Sequence, residues 1–313
     1  MSNTSQSLTL KYVLCRPQGG LNDMLCQIEK CCRYAEKTNR MVVIDSNYTN
    51  SENFHDELNL YFSSRQHKLF LSINELGFNL ETLSVFPHCL SGKLHTYKTA
   101  TKKPFEPFYE TVSNEAITFD FATNYKEDLV VSHQGAGGNL SLFALLRLKI
   151  TKPIQDELLR RLKLIDGPYV SIHIRQTDYQ SDYASAIEAL NKNPPRRLFV
   201  ASDNQRIVDE LMEKLPHTKI FSFSKNLSRD GHPIHFKNHK DKSLNFERNR
   251  DAIIDLMMLG MSSYLVLCKI SNGLTPDKKP NYSGFSLLAK LLHENKIILN
   301  HLLSDFTMRI GLE

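Results

Sequence analysis

Short apolar segments that alternate with longer amphipathic segments are the feature of this sequence that most restricts its fold. Residues 9–15 are apolar enough for a buried strand, and a turn with Gly19 and Gly20 follows them. Residues 21–38 repeat apolar side chains at helical spacing, and residues 41–45 form a second short apolar run. A strand, a helix and a second strand in this order indicate a βαβ unit, whose strands are parallel neighbours in one sheet.

The same alternation returns in the second half of the chain. Pro153 is suited to the first turn of a helix, and leucines at helical spacing follow it. Beyond that helix we predict strands over 168–174, 196–202, 218–223 and 264–268, and helices over 184–192, 204–214, 247–260 and 283–293. Strands that alternate with helices of about ten residues are typical of doubly wound parallel sheets.

Two such series predict two α/β domains. A chain of 313 residues is too long for one ordinary core, since domains average roughly 150 residues. We expect residues 1–150 and 151–313 to form two Rossmann-like domains that face each other across a cleft. Residues 46–127 have weak periodicity, so we expect short helices and irregular loops there, followed by a strand over 128–133.

Composition excludes several classes of protein. The chain is 41% hydrophobic and 23% charged, which is typical of globular domains and excludes a disordered or fibrous protein. A net charge of +5 is compatible with a phosphorylated ligand but too small to indicate nucleic acid binding. The chain begins without a basic, apolar leader, and no stretch approaches the ~20 apolar residues of a membrane span. We therefore expect a cytoplasmic protein.

The cysteines and histidines do not form a recognisable metal site. The six cysteines lack the spacing of a metal or disulfide framework, which predicts free thiols in a reducing compartment. His232, His235 and His239 lie close together in sequence, but no carboxylate or cysteine completes a ligand set. We expect neither a metal nor an organic cofactor.

The most specific polar cluster follows the strand predicted over 168–174. Side chains alternate between the two faces of a strand, so His173 and Arg175 share one face and emerge together at the carboxyl edge of the sheet. Open α/β sheets bind ligands beyond that edge. The planar guanidinium of Arg175 is suited to phosphate oxygens, and a nearby histidine can hydrogen-bond a base or sugar. A structural ion pair between Arg175 and Asp178 explains this arginine as well as phosphate binding does.

Two further polar clusters follow later strands of the same series. Asp203 or Asn204 can cap the next helix, and Asp203 can instead accept hydrogen bonds from a nucleobase or ribose. The turn Ser283-Gly284-Phe285-Ser286 opens another helix, where backbone N–H groups and hydroxyls can bind an anion or simply cap the helix. Together the three clusters predict a site for a nucleotide diphosphate.

These motifs resemble those of a known superfamily of enzymes. They are HIRQTDY at 173–179, the ASD turn at 201–203, DLMMLGMSSYLVLC at 255–268 and SGFS at 283–286. In this order they look like the serial motifs of the fucosyltransferase superfamily that makes α1,2-, α1,6- and protein O-linked fucose. The turn GGLND at 19–23 is similar to the superfamily's opening glycine turn. The resemblance covers both halves of the chain and leaves residues 46–127 unmatched.

The resemblance implies a GT-B fold and an inverting transfer of fucose from GDP-fucose without a metal. By motif position, Arg175 would hold the diphosphate, His173 and Asp203 would contact guanine or ribose, and the turn from Ser283 to Ser286 would bind the β-phosphate. The resemblance also assigns Gly19, Gly20 and Asn22 of the N-terminal turn to the donor site.

More than one residue is a candidate for the general base, and two departures from the superfamily motifs affect the choice of donor. An inverting transfer needs a base for the acceptor hydroxyl, and we favour Asp178, with Asp23 as the alternative and Asp182 nearby in sequence. Gln176 stands where the α1,2 and α1,6 enzymes have a second arginine, and the N-terminal turn ends Asn22-Asp23 instead of Asn-Gln. Both departures bear on the identity of the donor.

We therefore predict a fucosyltransferase that acts on a glycan or lipid-linked glycan precursor of the cell surface, such as O-antigen or capsule. We expect it at the inner face of the membrane, with peripheral contact to the bilayer. A UDP- or CMP-linked sugar is the alternative donor, because Gln176 removes one positive charge. A nucleotide-sugar-binding or scaffold protein without activity is the alternative of another class. We expect the charged segment 225–250 to be a solvated loop, with a flap over the donor phosphates as the alternative.

Overall fold

The computed structural model describes residues 10–48, 54–101, 107–135, 137–225, 227–229, 231, 241–272 and 282–303. The chain divides into two compact units. Unit 1 consists of Met1–Gly19 and Asp23–Arg147, and unit 2 consists of Gly20–Asn22 and Leu148–Glu313. That residues 1–150 and 151–313 fold as separate domains stays a prediction.

Unit 1 is built around a parallel sheet. Its described elements are β1 (Tyr12–Pro17), α1 (Leu21–Thr38), β2 (Met41–Ile44), β3 (Phe62–Ser64), β4 (Leu69–Phe70), β5 (Val85–Phe86), β6 (Thr99–Ala100), β7 (Tyr109–Glu110), β8 (Leu129–Gln134) and α2 (Ser141–Leu146), with the first two residues of α1 assigned to unit 2. The strand order is β4-β2-β1-β8-β5, and all neighbours are parallel. Strands β6 and β7 form a separate antiparallel pair.

The sequence pattern explains the centre of unit 1. Strands β1 and β8 begin with apolar runs and are buried almost throughout, as expected for parallel strands covered on both faces, and Leu14, Val43 and Val131 join one core. Helix α1 covers the range predicted for it, and β1, β2 and β8 match the other predicted segments to within three residues. The described part of residues 46–127 holds short 3-10 helices, as expected. It also holds the short strands β3–β7, which the sequence did not predict, and β4 and β5 are the edge strands of the main sheet.

Unit 2 repeats the alternation of strands and helices. Its described elements are β9 (Leu148–Ile150), α3 (Lys152–Ile165), β10 (Val170–Ile174), β11 (Gln180–Asp182), α4 (Ala184–Lys192), β12 (Arg197–Ser202), α5 (Gln205–Lys214), β13 (Lys219–Phe221), α6 (Lys242–Met261), β14 (Tyr264–Leu267), β15 (Lys269–Asn272), α7 (Gly284–Glu294) and α8 (Lys296–Leu302). The main sheet has the order β13-β12-β10-β14 with parallel neighbours. Strands β11 and β15 form an antiparallel pair.

The central position of β10 prepares the functional site. It lies between β12 and β14, and the register pairs His173 with Ala201 on one side and with Leu267 on the other. Ile172 and Ile174 of β10 pack with residues of β12, α4 and α5 in the core of unit 2. The last residues of β10 therefore emerge in the middle of the carboxyl edge of the sheet.

Helix α6 corrects one expectation from the sequence. It begins at Lys242, five residues before the predicted start, and Asp241 caps it by accepting a hydrogen bond from the backbone N–H of Ser243 at 2.9 Å. The interpretation of 225–250 as a solvated loop is therefore wrong for residues 242–250. Asn245 and Arg248 are only 1% and 5% exposed, so this charged stretch is the polar first half of a buried helix. His232, His235 and His239 lie outside the described residues.

Three general properties can be stated for the described residues. None of their helices is both long enough and apolar enough to cross a bilayer. No group of three His, Cys, Asp or Glu side chains among them is arranged to hold a metal ion. The six cysteines are free, as predicted; Cys89 is half-buried and the others are buried.

Candidate functional site

A cavity of about 160 Å³ lies in unit 2 at the carboxyl ends of β10 and β12. Its walls bring together residues from several separate elements: Gly20, Leu21, His173, Arg175, Asp203, Ser224, Arg248, Asp251, Asp255 and Phe285, among others. Three of the polar clusters singled out in the sequence therefore contribute to one cavity. This is the place where open α/β sheets bind their ligands.

His173 forms part of the cavity wall as a neutral imidazole. Its Nδ1 lies 2.7 Å from the hydroxyl oxygen of Ser286, and its ring packs against Phe285 with 4.9 Å between the ring centroids. Burial, together with the positive charge of Arg175, lowers the pKa of His173 to about 3. At neutral pH the ring can therefore exchange hydrogen bonds with a ligand but contributes no charge.

Arg175 is held by a two-pronged ion pair. Its Nε and Nη2 donate to the two carboxylate oxygens of Asp178 at 2.7 and 2.6 Å. The Arg175 side chain is still 22% exposed, whereas that of Asp178 is 8% exposed. The ion pair that the sequence offered as an alternative is thus present, and it fixes an arginine that also lines the cavity.

Asp203 stabilises the loop that follows β10 through two hydrogen bonds. Its two carboxylate oxygens accept hydrogen bonds from the backbone N–H of Gln176 at 2.7 Å and from the hydroxyl of Thr177 at 2.6 Å. Burial raises the pKa of this carboxyl. The cap of α5 is Asn204, whose side-chain oxygen accepts from the backbone N–H of Arg206 at 3.0 Å, so Asp203 does not have the capping role. Asp203 is left as a rigid acidic group on the wall.

The side chain of Gln176 is used inside the same loop. Its Oε1 accepts a hydrogen bond from the backbone N–H of Ser181 at 3.0 Å, and its backbone oxygen accepts from Nδ2 of Asn204 at 3.1 Å. Asn204 therefore supports both the helix and the loop.

The SGFS turn forms the N-terminus of α7. The hydroxyl oxygen of Ser283 accepts from the backbone N–H of Ser286 at 3.1 Å, which is the predicted cap. The hydroxyl of Ser286 lies between Ser283 and His173, so the cap also orients the histidine. A Cβ atom on Gly284 would lie 2.9 Å from Nδ2 of Asn22, which explains why a residue without a side chain stands there.

Helix α6 supplies cavity residues that the sequence reasoning missed. Arg248, Asp251 and Asp255 recur at intervals of three and four, so they share one face of the helix. Arg161 of α3 lies behind this face, where it donates to Asp251 and, at 3.1 Å, to Asp255. The sequence does contain a signal for this face, because these charged residues recur at helical spacing and an apolar stretch follows them. The high charge of the whole segment led instead to its interpretation as a solvated loop.

Asp255 has the most strongly perturbed carboxyl in the cavity. Burial raises its pKa to about 7, even though the charge of Arg161 and a hydrogen bond from Ser224 favour the ionised form. The hydroxyl of Ser224 donates to its Oδ2 at 2.7 Å. Asp255 therefore changes its charge near neutral pH, and perturbed groups in a cavity are frequent at functional sites.

The N-terminal turn is divided between the two units. Gly20 and Leu21 line the cavity, and Asn22, 7% exposed, belongs to unit 2 with them. Gly19 has φ +101°, a left-handed conformation suited to glycine, and a Cβ there would lie 2.8 Å from side-chain atoms of Asp23. Asp23 itself lies in α1 in unit 1.

Solved structures of fucosyltransferases share this fold. Fucosyltransferase NodZ from Bradyrhizobium matches with a TM-score of 0.57 at 16% sequence identity, over 90% of this chain and 93% of the NodZ chain. NodZ alpha-1,6-fucosyltransferase soaked with GDP-fucose matches with a TM-score of 0.56 at 15% identity, over 90% and 92% of the two chains. POFUT1 in complex with GDP-fucose matches with a TM-score of 0.51 at 12% identity, over 93% and 95%.

The chain has the fold of these fucosyltransferases. The α/β fold class and the resemblance to the superfamily are therefore confirmed at the level of the fold. No protein-family model and no curated protein matches the sequence. The roles of the individual site residues stay predictions.

Proposed function

We propose that this chain is an inverting, metal-independent glycosyltransferase that transfers fucose from GDP-fucose to a glycan. The observation that carries the proposal is the cavity of unit 2, where a neutral histidine, an arginine fork and an acidic helix face meet at the carboxyl edge of a parallel sheet. Its fold is shared with NodZ, whose crystal was soaked with GDP-fucose, and with POFUT1, whose structure is a complex with GDP-fucose.

The acidic face of α6 favours guanine as the base of the donor. The Watson–Crick edge of guanine presents two adjacent N–H donors, which match the two oxygens of a carboxylate. Each oxygen of Asp255 accepts one hydrogen bond, from Arg161 or from Ser224, and keeps a further lone pair for a base. Uracil and cytosine lack two adjacent N–H donors of this kind, so this wall favours GDP over UDP and CMP.

We assign the diphosphate to Arg175 and to the first turn of α7. The N-terminus of a helix carries the positive end of its dipole, and the SGFS turn forms that end of α7. His173 and Asp203 would then contact the guanosine, and Ser283, Gly284, Phe285 and Ser286 the β-phosphate. Gly19, Gly20 and Asn22 complete the proposed donor site, in agreement with the position of Gly20 on the cavity wall.

In the proposed reaction the acceptor hydroxyl oxygen attacks the anomeric carbon as the bond to the diphosphate oxygen breaks. The leaving GDP takes the electron pair of that bond, and the growing charge is stabilised by Arg175 and the α7 terminus in the role that a metal ion has in other transferases. Both oxygens of Asp178 bind Arg175, so we propose that Asp178 positions the arginine. Asp23 is then the candidate that accepts the proton of the hydroxyl.

The acceptor is proposed on the sequence alone. A glycan or lipid-linked glycan of the cell surface, such as an O-antigen or capsule precursor, and a location at the cytoplasmic face of the membrane stay predictions.

Product analysis tests the proposal. The purified protein is incubated with GDP-fucose, UDP-linked or CMP-linked sugars and a panel of glycan acceptors, with and without EDTA, and products are identified by mass spectrometry. We expect transfer or slow hydrolysis of GDP-fucose that EDTA leaves unchanged, and inverted anomeric configuration by NMR. Calorimetric preference for UDP or CMP over GDP would overturn the donor. Tight GDP binding with no turnover on any acceptor would favour the nucleotide-binding protein instead.

A further inference from the structure

The charges around the cavity leave the donor diphosphate short of positive partners. Three acidic residues, Asp203, Asp251 and Asp255, line the cavity, but only Arg175 and Arg248 line it as cations within the described residues. Asp178 already takes both donor atoms of one edge of Arg175. Arg161 behind the wall is likewise engaged, by Asp251 and Asp255. These ion pairs leave little positive charge for a diphosphate, which adds at least two further negative charges.

Gln176 does not supply the missing positive charge. It is uncharged, and its side-chain oxygen is used by the backbone N–H of Ser181 at 3.0 Å, inside the loop that follows β10. Among the residues that the structure describes, the second cation of the site therefore has to come from a different element of the fold.

Arg248 of α6 has the required position. It is 5% exposed, lines the cavity and lies on the same helix face as Asp255. Seven residues separate the two along the helix, which corresponds to two turns and about 10 Å. The face of α6 is thus acidic at one end and basic at the other, as a ligand with N–H donors at one end and phosphates at the other requires.

We propose that Arg248 binds the donor diphosphate from α6 while Arg175 binds it from the end of β10. Helix α6 then contacts the whole donor nucleotide, with Asp255 at the base and Arg248 at the phosphates. Two guanidinium groups on different elements hold the leaving group between them. This inference rests on the proposed function, since it names a further residue of the same donor site.

Calorimetry on the full chain tests the role of Arg248. Arg248→Met keeps the length of the side chain but removes the charge, and Arg248→Lys keeps the charge but removes the planar fork. Arg160→Met is the matched control, because Arg160 is an arginine of α3 whose side chain is 55% exposed and pairs with Glu157. Affinity is measured for GDP directly and for guanosine by competition with GDP, and the melting temperature is measured without ligand.

A charge-assisted hydrogen bond to phosphate predicts at least a ~20-fold loss of GDP affinity in Arg248→Met, with guanosine within twofold of the parent. Arg248→Lys should recover part of the loss, and Arg160→Met should behave as the parent. Equal losses for GDP and guanosine, or unchanged GDP affinity in Arg248→Met, overturn the inference. If Arg175→Ala weakens GDP binding while Arg248→Met does not, this inference alone fails. If the parent binds no GDP, the proposed function fails with it.

Discussion

The two parallel sheets end in similar polar residues but use them differently. In unit 1, Arg16 at the end of β1 donates from Nε to Oδ2 of Asp45 at 2.8 Å, and its side chain is completely buried. In unit 2, Arg175 after β10 pairs with Asp178 in a comparable way, but 22% of its side chain remains exposed on a cavity wall. An arginine paired with an aspartate after a parallel strand is therefore not by itself a binding site.

The packing around each arginine explains the difference. In unit 1 the rings of Tyr48 and Tyr97 lie against Arg16, with its Cζ 3.8 and 5.2 Å from their centroids. His133 at the end of β8 is closed in as well, by the hydroxyl of Tyr97 at 2.8 Å and by Gln18 at 3.0 Å. Aromatic rings thus fill the edge of this sheet. In unit 2 a polar helix face lines the equivalent edge and leaves a cavity.

The histidines at the two sheet edges resemble each other and do not explain why one edge is filled by aromatic rings and the other leaves a cavity. Burial, with a nearby arginine, lowers the pKa of both His133 and His173, so both are neutral at physiological pH. The two sheet edges therefore differ in the exposure of their arginines, and substitutions of Arg16 and Arg175 test this difference.

The largest expected effect is on the stability of unit 1. Arg16→Ala removes one partner of a buried ion pair and leaves Asp45 without its cation, which should cost about 3–5 kcal/mol of the free energy of unfolding. Urea unfolding measures the loss. Arg33→Ala is the control, because the Arg33 side chain in α1 is 49% exposed and its buried partner Glu29 keeps an ion pair with Arg147, so the loss should be only about 0–1 kcal/mol. Normal stability in Arg16→Ala with lost turnover would show that Arg16 is functional.

The opposite result is expected for Arg175. Its contact with the leaving diphosphate would strengthen as charge develops, so Arg175→Ala should lower turnover per folded molecule at least ~100-fold. The melting temperature should fall less than in Arg16→Ala, because 22% of the Arg175 side chain is exposed and water can hydrate Asp178 once the arginine is removed. Arg175→Lys should recover only part of the rate, since an ammonium group cannot make a two-pronged contact. Initial rates with GDP-fucose and calorimetric melting check both statements. A variant that melts far below the parent but turns over normally would make Arg175 the structural counterpart of Arg16.

A smaller effect is expected on the pH dependence of guanosine binding in unit 2. Because the pKa of Asp255 is about 7 in the folded protein, its carboxylate is mostly protonated at pH 6 and mostly ionised at pH 8. Guanine N–H donors need the ionised form, so guanosine affinity should rise roughly tenfold from pH 6 to pH 8. The His173 pKa of about 3 keeps that group out of this window. Competition titrations measure the slope, and Asp255→Asn should abolish it; a slope that persists in this variant would exclude Asp255 as its source.

The clearest patterns in the sequence predicted most of the sheet and helix framework. Apolar runs and helical spacing identified β1, α1 and β2 in unit 1, and β10, β12 and β14 in unit 2. The same reasoning placed His173, Arg175 and Asp203 near one edge, and all three line the cavity. Short strands such as β4, β5, β11 and β15 were missed, because a strand of two to four residues has too few side chains to show a period.

The helix face of α6 was the main omission. Arg248 and Asp251 belong to a segment whose charge is typical of solvated loops. Asp251 is buried against Arg161, which lies about ninety residues earlier in sequence. Local spacing could suggest that these side chains share a face, but not that this face turns inward.

The sequence by itself determined the alternation of strands and helices, because buried parallel strands and amphipathic helices need apolar side chains at fixed periods. It also determined which residues follow each strand. The tertiary structure alone decided that Arg16 is sealed beneath two tyrosines whereas Arg175 faces a cavity. Whether a polar group is covered or open depends on side chains that are distant in sequence, and the pKa of Asp255 follows from the same packing, since desolvation is a property of the folded surroundings.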